Sequence, residues 1–380
     1  MGARPPARTP RPPVDPRHRT RTGGTMSLLA IQQQGAVIAV RNQALAVQLG
    51  SRTVQQVRAE DLQEVHLYGA IELTAAARRL LVRRGVDVLF FSRAGTFEAR
   101  LVGAESSQGE RRLAQFRALS DPTLARSLAR SFVAGKIRNQ RTVLRAAQRH
   151  RQDHRLATAL AAMRQTLRVV EDENPPDIDA LRGHEGLAAR TYFAALPAAI
   201  DPPEFTFAGR SRRPPRDPFN ACLSFAYTLL LRRIESAVRS AGLDPHLGAL
   251  HAPGRGKPSL ALDLMEEFRP ALVDRLVLRL VNRRQLAPHD FVDPGVLPED
   301  IGAPPDEHAD TPPDPRPAVY LGPQGRAILL REFHGDLRRL VSVEGLEARQ
   351  TIAAILQRQA MQVAHVVEGR QHDYTPYLIR

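Results

Sequence analysis

Cysteine is almost absent from this chain of 380 residues, and Cys222 is its single example. One cysteine excludes an intrachain disulfide and a cysteine-rich zinc site, and it fits a reducing compartment. Apolar runs of roughly 18 residues, which a membrane span requires, are also missing, and the N-terminus has no apolar signal-peptide core. The sequence therefore predicts a soluble, cytoplasmic protein.

Lysine is scarce as well, because Lys136 and Lys257 are the only lysines among 54 basic residues. The formal net charge of +14 and the isoelectric point near 11.0 suggest a polyanionic partner, either nucleic acid or an anionic membrane surface. A GC-rich coding bias would also replace lysine by arginine. Basicity alone therefore leaves the partner open.

The chain divides into segments of different composition. Residues 1–25 hold six arginines and six prolines with almost nothing to bury, which predicts a disordered basic tail. Residues 26–103 contain short Val-rich and Leu-rich runs, which predict strands around one helix capped by Thr74. Residues 110–380 carry long arginine-studded helical patterns, interrupted at 287–317 by a Pro-rich and Asp-rich stretch that predicts an exposed loop. The fold class is α+β, a small N-terminal β-rich domain followed by a larger all-α domain.

One helix is predicted to bury three acids. In LHAPGRGKPSLALDLMEEFRP, residues 250–270, Asp263, Glu266 and Glu267 fall at i, i+3 and i+4, so we expect them to share a face. The surrounding apolar residues predict burial, where carboxylates persist only if they are protonated, paired with arginine or bound to a metal cation. A solvated face, or pairing with distant arginines, fits this segment equally well.

Several segments together resemble one family. In chain order they are LYGAIELTAAARRLLVRRGVDVLFFSRAGTFEARLVG, VAGKIRNQRTVL, GHEGLAARTYF, FAGRSRRPPRDPFNACLSFAYTLLL, GALHAPGRGKPSLALDLMEEFRP and the closing YTPYLIR. Over residues 27–380 they resemble the CRISPR-associated integrase and endonuclease of spacer acquisition, the first-numbered Cas protein family. The resemblance implies an N-terminal β domain that dimerises and a C-terminal helical domain that holds a metal.

The same resemblance implies a set of site residues. Glu185 in GHEG, His251 in GALH and Glu266 in DLMEEF would be the metal ligands, with Asp263 as a further catalytic acid one turn before Glu266. Many members of the family carry aspartate where Glu266 stands, and both residues supply a hard anionic oxygen. Two carboxylates and an imidazole suit Mn²⁺ or Mg²⁺. Taken alone, Glu185 is more often a helix N-terminal acid and His251 a hydrogen-bonded core histidine.

Basic residues near these motifs are candidate phosphate contacts. The candidates are Arg210, Arg212, Arg213, Arg255, Lys257 and Lys136. For the arginines around Pro214 and Pro215, a solvated basic loop is an equally good interpretation.

The family's reaction is phosphoryl transfer on DNA, in which the 3′-hydroxyl of a foreign fragment attacks a phosphodiester at the border of a CRISPR repeat. The resemblance therefore implies a metal-dependent DNA endonuclease and integrase that acts on double-stranded DNA, as a homodimer and with the small second-numbered Cas protein. Two other classes stay open. One is a non-catalytic DNA-binding scaffold whose acids are satisfied by arginines, and the other is a metallohydrolase that acts on a small phosphoester.

The acid helix also carries an expectation about stability. A metal-held acid cluster repels itself when the ion is absent, so replacing Glu266 by Gln should stabilise the metal-free protein or leave it unchanged. An arginine-paired cluster would instead be destabilised by the same change.

The N-terminal domain generates the first testable prediction. So small a β domain leaves a sheet edge or face to cover, and the resemblance implies that two copies pair there. Light scattering of a chain that begins at Met26 should give the mass of a dimer, and a monomer at micromolar concentration would contradict the pairing.

Overall fold

Eight strands and one helix occupy residues 27–103, the first stretch that the computed structural model describes; the others are 108–173, 175–211, 214–292, 318–343 and 346–379. The elements are β1 Ser27–Ile31, β2 Ala36–Arg41, β3 Ala44–Leu49, β4 Arg52–Arg58, β5 Leu62–Tyr68, β6 Glu72–Leu73, α1 Ala75–Arg83, β7 Asp87–Phe91 and β8 Phe97–Leu101. Thr74 caps α1 as predicted, because its side chain accepts a hydrogen bond from the backbone N–H of Ala77. The predicted tail at 1–25 lies outside the described residues.

The eight strands form two four-stranded sheets. The first has the order β4-β3-β2-β6, in which β2, β3 and β4 are an antiparallel meander. Asn42 and Gln43 turn between β2 and β3 with positive φ angles of 49° and 59°, as a two-residue hairpin requires. The second has the order β1-β5-β7-β8, and β1, β5 and β7 run parallel. The apolar patterns predicted strands but not this parallel pairing.

The second sheet is buried on both faces. Toward the first sheet and α1, it contributes side chains such as Val65 and Val88 to the core of the β domain. Toward the helices, Tyr68, Leu89 and Phe91 join the main core. Burial on two sides explains why β7, DVLFF, is a nearly continuous apolar run, whereas β5 also buries the polar residues Glu64 and His66.

Nine helices follow in the described part of the chain. They are α2 Gly109–Ser120, α3 Pro122–Arg151, α4 His154–Asp172, α5 Ile178–Ala195, α6 Pro218–Ser240, α7 Ser259–Phe268, α8 Arg275–Asn282, α9 Pro323–Arg338 and α10 Ile352–Val367. The thirty-residue α3 packs against α4, α5 and α7 and forms the axis of the domain. A β-rich domain followed by a helical one confirms the predicted α+β class. No described helix is both long and apolar enough to span a bilayer.

The acid helix does not continue as a regular α-helix beyond Phe268. After α7, residues Arg269–Asp274 form a π-helical turn, and α8 begins at Arg275. Pro270 has no backbone N–H and its ring crowds the preceding turn, which disrupts the regular hydrogen-bond ladder. The wider turn places Arg269 and Asp274 close to the site described below.

The predicted loop at 287–317 begins with regular structure. Pro288–Asp290 form a 3₁₀ turn, and β9, Phe291–Val292, pairs antiparallel with β10, Tyr320–Leu321. Two further short strands, β11 Leu340–Val341 and β12 Gln350–Thr351, pair in the same way. Residues 293–317 lie outside the described part of the chain.

The C-terminal segment is anchored on α3 and α7. Asn139 on α3 donates hydrogen bonds to the backbone oxygens of Glu267 and Tyr377, both at 2.8 Å, and accepts one from the N–H of Ile379 at 3.0 Å. One turn earlier, Gly135 lies so close to the segment that an added Cβ would be 2.5 Å from Cβ of Pro376. Only glycine allows this approach.

Glu267 completes the anchor as a buried carboxyl group. Its Oε1 accepts from the Tyr374 hydroxyl at 2.7 Å, and its Oε2 accepts from the N–H of Tyr377 at 3.0 Å. Burial raises the pKa of Glu267 to about 8, although these hydrogen bonds act in the opposite direction. Glu267 is therefore largely protonated at neutral pH.

Gly135→Ala should destabilise the protein by about 1–3 kcal/mol, because the added methyl group overlaps Pro376 and forces α3 and the C-terminal segment apart. The matched control is Gly183→Ala in α5, where an added Cβ meets no atom within 4 Å. Gly183→Ala should stabilise the protein by roughly 0.5–1 kcal/mol, because it removes a glycine from a helix interior. Urea unfolding of both variants measures the difference, and equal effects would contradict the close approach.

Glu267 should make stability fall as pH rises. Its folded pKa lies above the ordinary value of 4.5, so its contribution is full below about pH 4.5 and is lost as pH rises through about 8. The slope is at most about 1.4 kcal/mol per pH unit. Glu267→Gln should remove this slope, whereas Glu347→Gln, at an exposed position, should leave it in place. Unfolding free energies between pH 4.5 and 8 test this, and an unchanged slope in Glu267→Gln would refute it.

Candidate metal and DNA site

Two of the predicted metal ligands, Glu185 and Glu266, contact the same lysine, and the three residues come from three helices. Lys136 on α3 places its Nζ against Oε1 of Glu185 on α5 and Oε2 of Glu266 on α7. Arg269, in the π-helical turn, donates from Nε to the other oxygen of Glu266 at 3.1 Å. Two cations therefore neutralise two carboxylates from different helices.

The charges in this group hold one another ionised. Burial by itself would raise the pKa of Glu266, but Lys136 and Arg269, with a smaller contribution from His251, hold it well below its usual range. Burial would likewise lower the pKa of Lys136, and Glu266 and Glu185 more than offset it, so this pKa is raised. Glu266 is thus an anion and Lys136 a cation across the physiological pH range.

Asp263 has a different role, because it fixes the loop that carries His251. Its carboxylate accepts hydrogen bonds from the backbone N–H groups of Ala249 at 2.6 Å, Leu250 at 2.9 Å and His251 at 2.8 Å. Nδ1 of His251 lies 2.7 Å from the same carboxylate. This contact directs Nδ1 to the carboxylate and leaves Nε2 on the opposite edge of the ring, the orientation in which carboxylates hold metal-binding histidines.

The three acids of α7 therefore do not form one cluster, and the prediction of a shared environment was wrong. Asp263 faces the His251 loop, Glu266 faces Lys136, and Glu267 faces the C-terminal segment. Residues at i+3 and i+4 lie about 100° apart on a helix, and the neighbouring elements separate them completely. Only Glu266 belongs to the site, with Asp263 behind His251.

The site is buried on one side and open on the other. The side chains of Glu185 and His251 are 24% and 28% exposed, whereas those of Lys136 and Glu266 are buried. Two carboxylates and an imidazole with a free Nε2 are a donor set that fits Mn²⁺ or Mg²⁺. The ammonium group of Lys136 already holds the two carboxylates together.

A tighter group of ligand atoms lies elsewhere. Among the residues that the structure describes, Glu64, His66 and His334 are the group of three whose ligand atoms all lie within 4.8 Å of one another. Burial by itself would raise the pKa of Glu64, but Arg233 and the two histidines hold it well below its usual range. Burial lowers the pKa of His334 to about 4. No sequence motif predicted this group.

Two of the predicted DNA contacts have partners within the protein. Lys136 is buried between carboxylates. Arg210 is half-buried, donates to Asn220 at 2.8 Å and lies over the ring of Tyr227 at 5.4 Å.

The other predicted DNA contacts remain predictions. Arg255 is exposed and Lys257 is half-buried in the loop after His251. Arg212 and Arg213 lie outside the described residues.

Sequence reasoning missed a buried polar group beside Glu266. Tyr192 and Tyr227 both donate their hydroxyls to Asp274, and the guanidinium of Arg269 lies 4.8 Å from the centre of the Tyr227 ring. Burial raises the pKa of Asp274 to about 6. No spacing rule connects these residues, which come from two helices and a π-helical turn.

The expected effect of Glu266→Gln on the metal-free protein changes with this structure. The expectation that Glu266→Gln would not lower stability assumed a cluster of acids that repel one another. Lys136 and Arg269 neutralise Glu266 instead, so its replacement leaves buried cations without their partner. Glu266→Gln should therefore destabilise the metal-free protein, whether the site is catalytic or only structural.

Comparison with known proteins gives a consistent result. The family model described as CRISPR associated protein Cas1 matches residues 29–296. A relative from Thermus thermophilus, CRISPR-associated endonuclease Cas1 3, is 35% identical over 360 residues, which cover 94% of this chain and 99% of the relative.

Solved structures show the same fold. A casposase bound to its integration product superposes with a TM-score of 0.75 at 23% identity and covers 92% of this chain and 93% of that one. A chain of a Cas6-RT-Cas1–Cas2 complex superposes with a TM-score of 0.73 at 23% identity, over 93% of this chain and 36% of that one. With a matching family model and a relative of nearly equal length, the chain belongs to the CRISPR-associated Cas1 family.

Proposed function

We propose that this protein is a metal-dependent DNA endonuclease and integrase that inserts foreign DNA fragments into a CRISPR array by transesterification. The observation that carries the proposal is that Glu185 and Glu266 of a Cas1-family chain meet at Lys136 in a half-open site, with His251 near enough to contribute to the lowered pKa of Glu266. Relatives over the full length are called CRISPR-associated endonucleases, which supports the nuclease reaction.

Each side chain has a definable part in this reaction. Glu185, Glu266 and Nε2 of His251 would hold Mn²⁺ or Mg²⁺, which when bound polarises a phosphodiester and lowers the pKa of an attacking hydroxyl. Asp263 positions His251 by fixing its loop and the orientation of its ring. Because Asp263 already accepts three backbone hydrogen bonds, it is a positioning residue and not the base that removes the proton of the nucleophile.

Lys136 is the residue that keeps the ligand pair ready. Two carboxylates at close range repel each other, and one would take up a proton without a cation between them. The ammonium group of Lys136 offsets this repulsion and lowers the pKa of Glu266, so Glu266 stays anionic and can accept a divalent ion. The buried face then fixes the ligands, and the open face at Glu185 and His251 admits the DNA.

The basic surface supports double-stranded DNA as the partner. A net charge of +14, almost all arginine, gives phosphate affinity that falls steeply with salt. Arg255 and Lys257 follow His251 directly and would contact phosphates beside the metal. Sequence preference would then come from DNA shape or from a partner.

Two protein partners belong to the proposal. The strand β4 is an open sheet edge on which Val54 is 40% exposed, next to Leu49 at 44%, and this edge suits pairing with a second copy. A solved complex with a chain of this fold is named for both Cas1 and Cas2, which supports a complex with the small second-numbered Cas protein.

The decisive experiment uses two neighbouring glutamates. Glu266→Gln should reduce cleavage and strand transfer on oligonucleotide DNA in Mn²⁺ by more than about 100-fold, because it removes a ligand charge. Glu267→Gln is the matched control, since Glu267 faces the C-terminal segment and is largely neutral at pH 7. Asp263→Asn should lose roughly 10 to 100-fold through a misplaced His251.

Gel-shift binding of duplex DNA completes the test. Binding should survive in Glu266→Gln, because the arginines are unchanged. Full activity in Glu266→Gln would favour a non-catalytic scaffold, and failure of the unmodified protein to bind duplex DNA would favour a small phosphoester substrate.

A further inference from the structure

Two histidines and a glutamate meet where the β domain contacts the helical domain. Glu64 and His66 lie two residues apart on β5 and so point to the same face of the sheet, toward α9. His334 on α9 approaches from the helical side, and its ring centre lies 5.9 Å from that of His66. All three side chains are buried, with relative exposures of 3%, 1% and 5%.

Both imidazole rings lack ordinary hydrogen bonds. No ring nitrogen of His66 or His334 has a hydrogen-bond partner, although all four are shielded from solvent. A neutral imidazole carries one N–H donor and one acceptor, and each loses its hydration without replacement when it is buried unpaired. Two adjacent rings with this defect indicate that something beyond the described side chains satisfies them.

One carboxylate oxygen lies close to both rings. Oε2 of Glu64 lies 3.4 Å from Nε2 of His66 and 3.7 Å from Nε2 of His334, beyond normal hydrogen-bond lengths. The other oxygen, Oε1, accepts from Nη1 of Arg233 on α6 at 2.6 Å. Arg233 thus orients the carboxylate so that its free oxygen faces the two Nε2 atoms.

The separations of 3.4 and 3.7 Å are close to the edges of a metal coordination polyhedron, and one ligand atom from each of the three residues lies within 4.8 Å of the others. Bonds of about 2.0–2.1 Å from zinc to nitrogen or oxygen, at tetrahedral angles, place neighbouring ligand atoms about 3.3–3.4 Å apart. Hydrogen-bonded nitrogen and oxygen atoms would lie closer together, near 2.9 Å. Simple van der Waals packing would not require three ligand atoms to face one another. Two imidazoles with one carboxylate suit Zn²⁺ or a similar borderline cation and not Mg²⁺, which prefers oxygen ligands.

We propose that Glu64, His66 and His334 bind one Zn²⁺-like divalent cation that joins the β domain to the helical domain. This site is separate from the one at Glu185 and Glu266, and it does not rest on the proposed reaction. Its role is structural, because all three side chains are buried and the rings of Phe91 and Tyr68 pack against His66.

The same contacts limit the affinity of the site. Nδ1 of each histidine has no carboxylate or carbonyl partner, whereas tight zinc sites commonly fix that atom by a hydrogen bond. The charge of Arg233 also opposes a cation nearby. We therefore expect chelators to remove the zinc. We also expect the stability of the protein to rise with the logarithm of the free zinc concentration.

The test uses the full chain, stripped with a chelator and titrated with ZnCl₂. Metal analysis and calorimetry should find one Zn²⁺ per chain that is retained in His251→Gln, together with a zinc-dependent rise in melting temperature. His334→Gln should weaken this binding at least tenfold. Absence of binding in the unmodified chain, or equal binding in His334→Gln, would overturn the proposal, as would its loss in His251→Gln.

A second measurement covers the case in which His334→Gln does not fold. The unmodified protein loaded with one equivalent of Zn²⁺ is studied by X-ray absorption, which counts imidazole ligands directly. Two imidazoles with oxygen ligands support the site, because the Glu185 site offers one histidine. One imidazole or none would overturn it. Because cleavage activity is not used, the result is independent of whether the protein is a nuclease.

Discussion

The buried ammonium group of Lys136 is the interaction on which the candidate site depends. It lies between carboxylates that two different helices supply, and without a cation there those helices would bring like charges together in a poorly hydrated place. The same helix also holds the C-terminal segment, through Gly135 and Asn139. Helix α3 thus couples the geometry of the site to the packing of the chain end, and a change in one affects the other.

Three neighbouring acids on α7 show three ways to bury a carboxylate. Asp263 accepts backbone hydrogen bonds, Glu266 forms ion pairs, and Glu267 takes up a proton because burial raises its pKa. Each solution depends on what the adjacent element offers: an irregular loop, a lysine or tyrosine hydroxyls. Of these three acids, only Glu266 is an anionic ligand candidate at the site, where Lys136 and Arg269 hold it in place.

The contact between the two domains is unusually polar. Glu64 pairs with Arg233 beneath the sheet, and Arg326 of α9 donates to the backbone oxygen of Arg93 at 2.5 Å and lies over the ring of Tyr68. Buried ion pairs gain little net stability over apolar packing, but they fix orientation, since a displaced partner leaves a charge unpaired. A metal at Glu64 and the two histidines would strengthen the same constraint and hold the β domain in one position against the helices.

The sequence by itself determined the fold class, most strands of the β domain and the cap at Thr74, and its resemblance to one family supplied the candidate residues Glu185, His251 and Glu266. These follow from short-range patterns and from motifs that a single segment carries. Only the tertiary structure decided which partner each buried charge meets: the place of Lys136 between two acids, the turn of Asp263 toward its loop, the parallel order of the second sheet, and the group of Glu64 with two histidines. Such pairings join elements far apart in the chain, and periodicity records only that a residue is buried. The energy of a buried charge depends on the atoms that surround it, and those atoms come from elsewhere in the sequence.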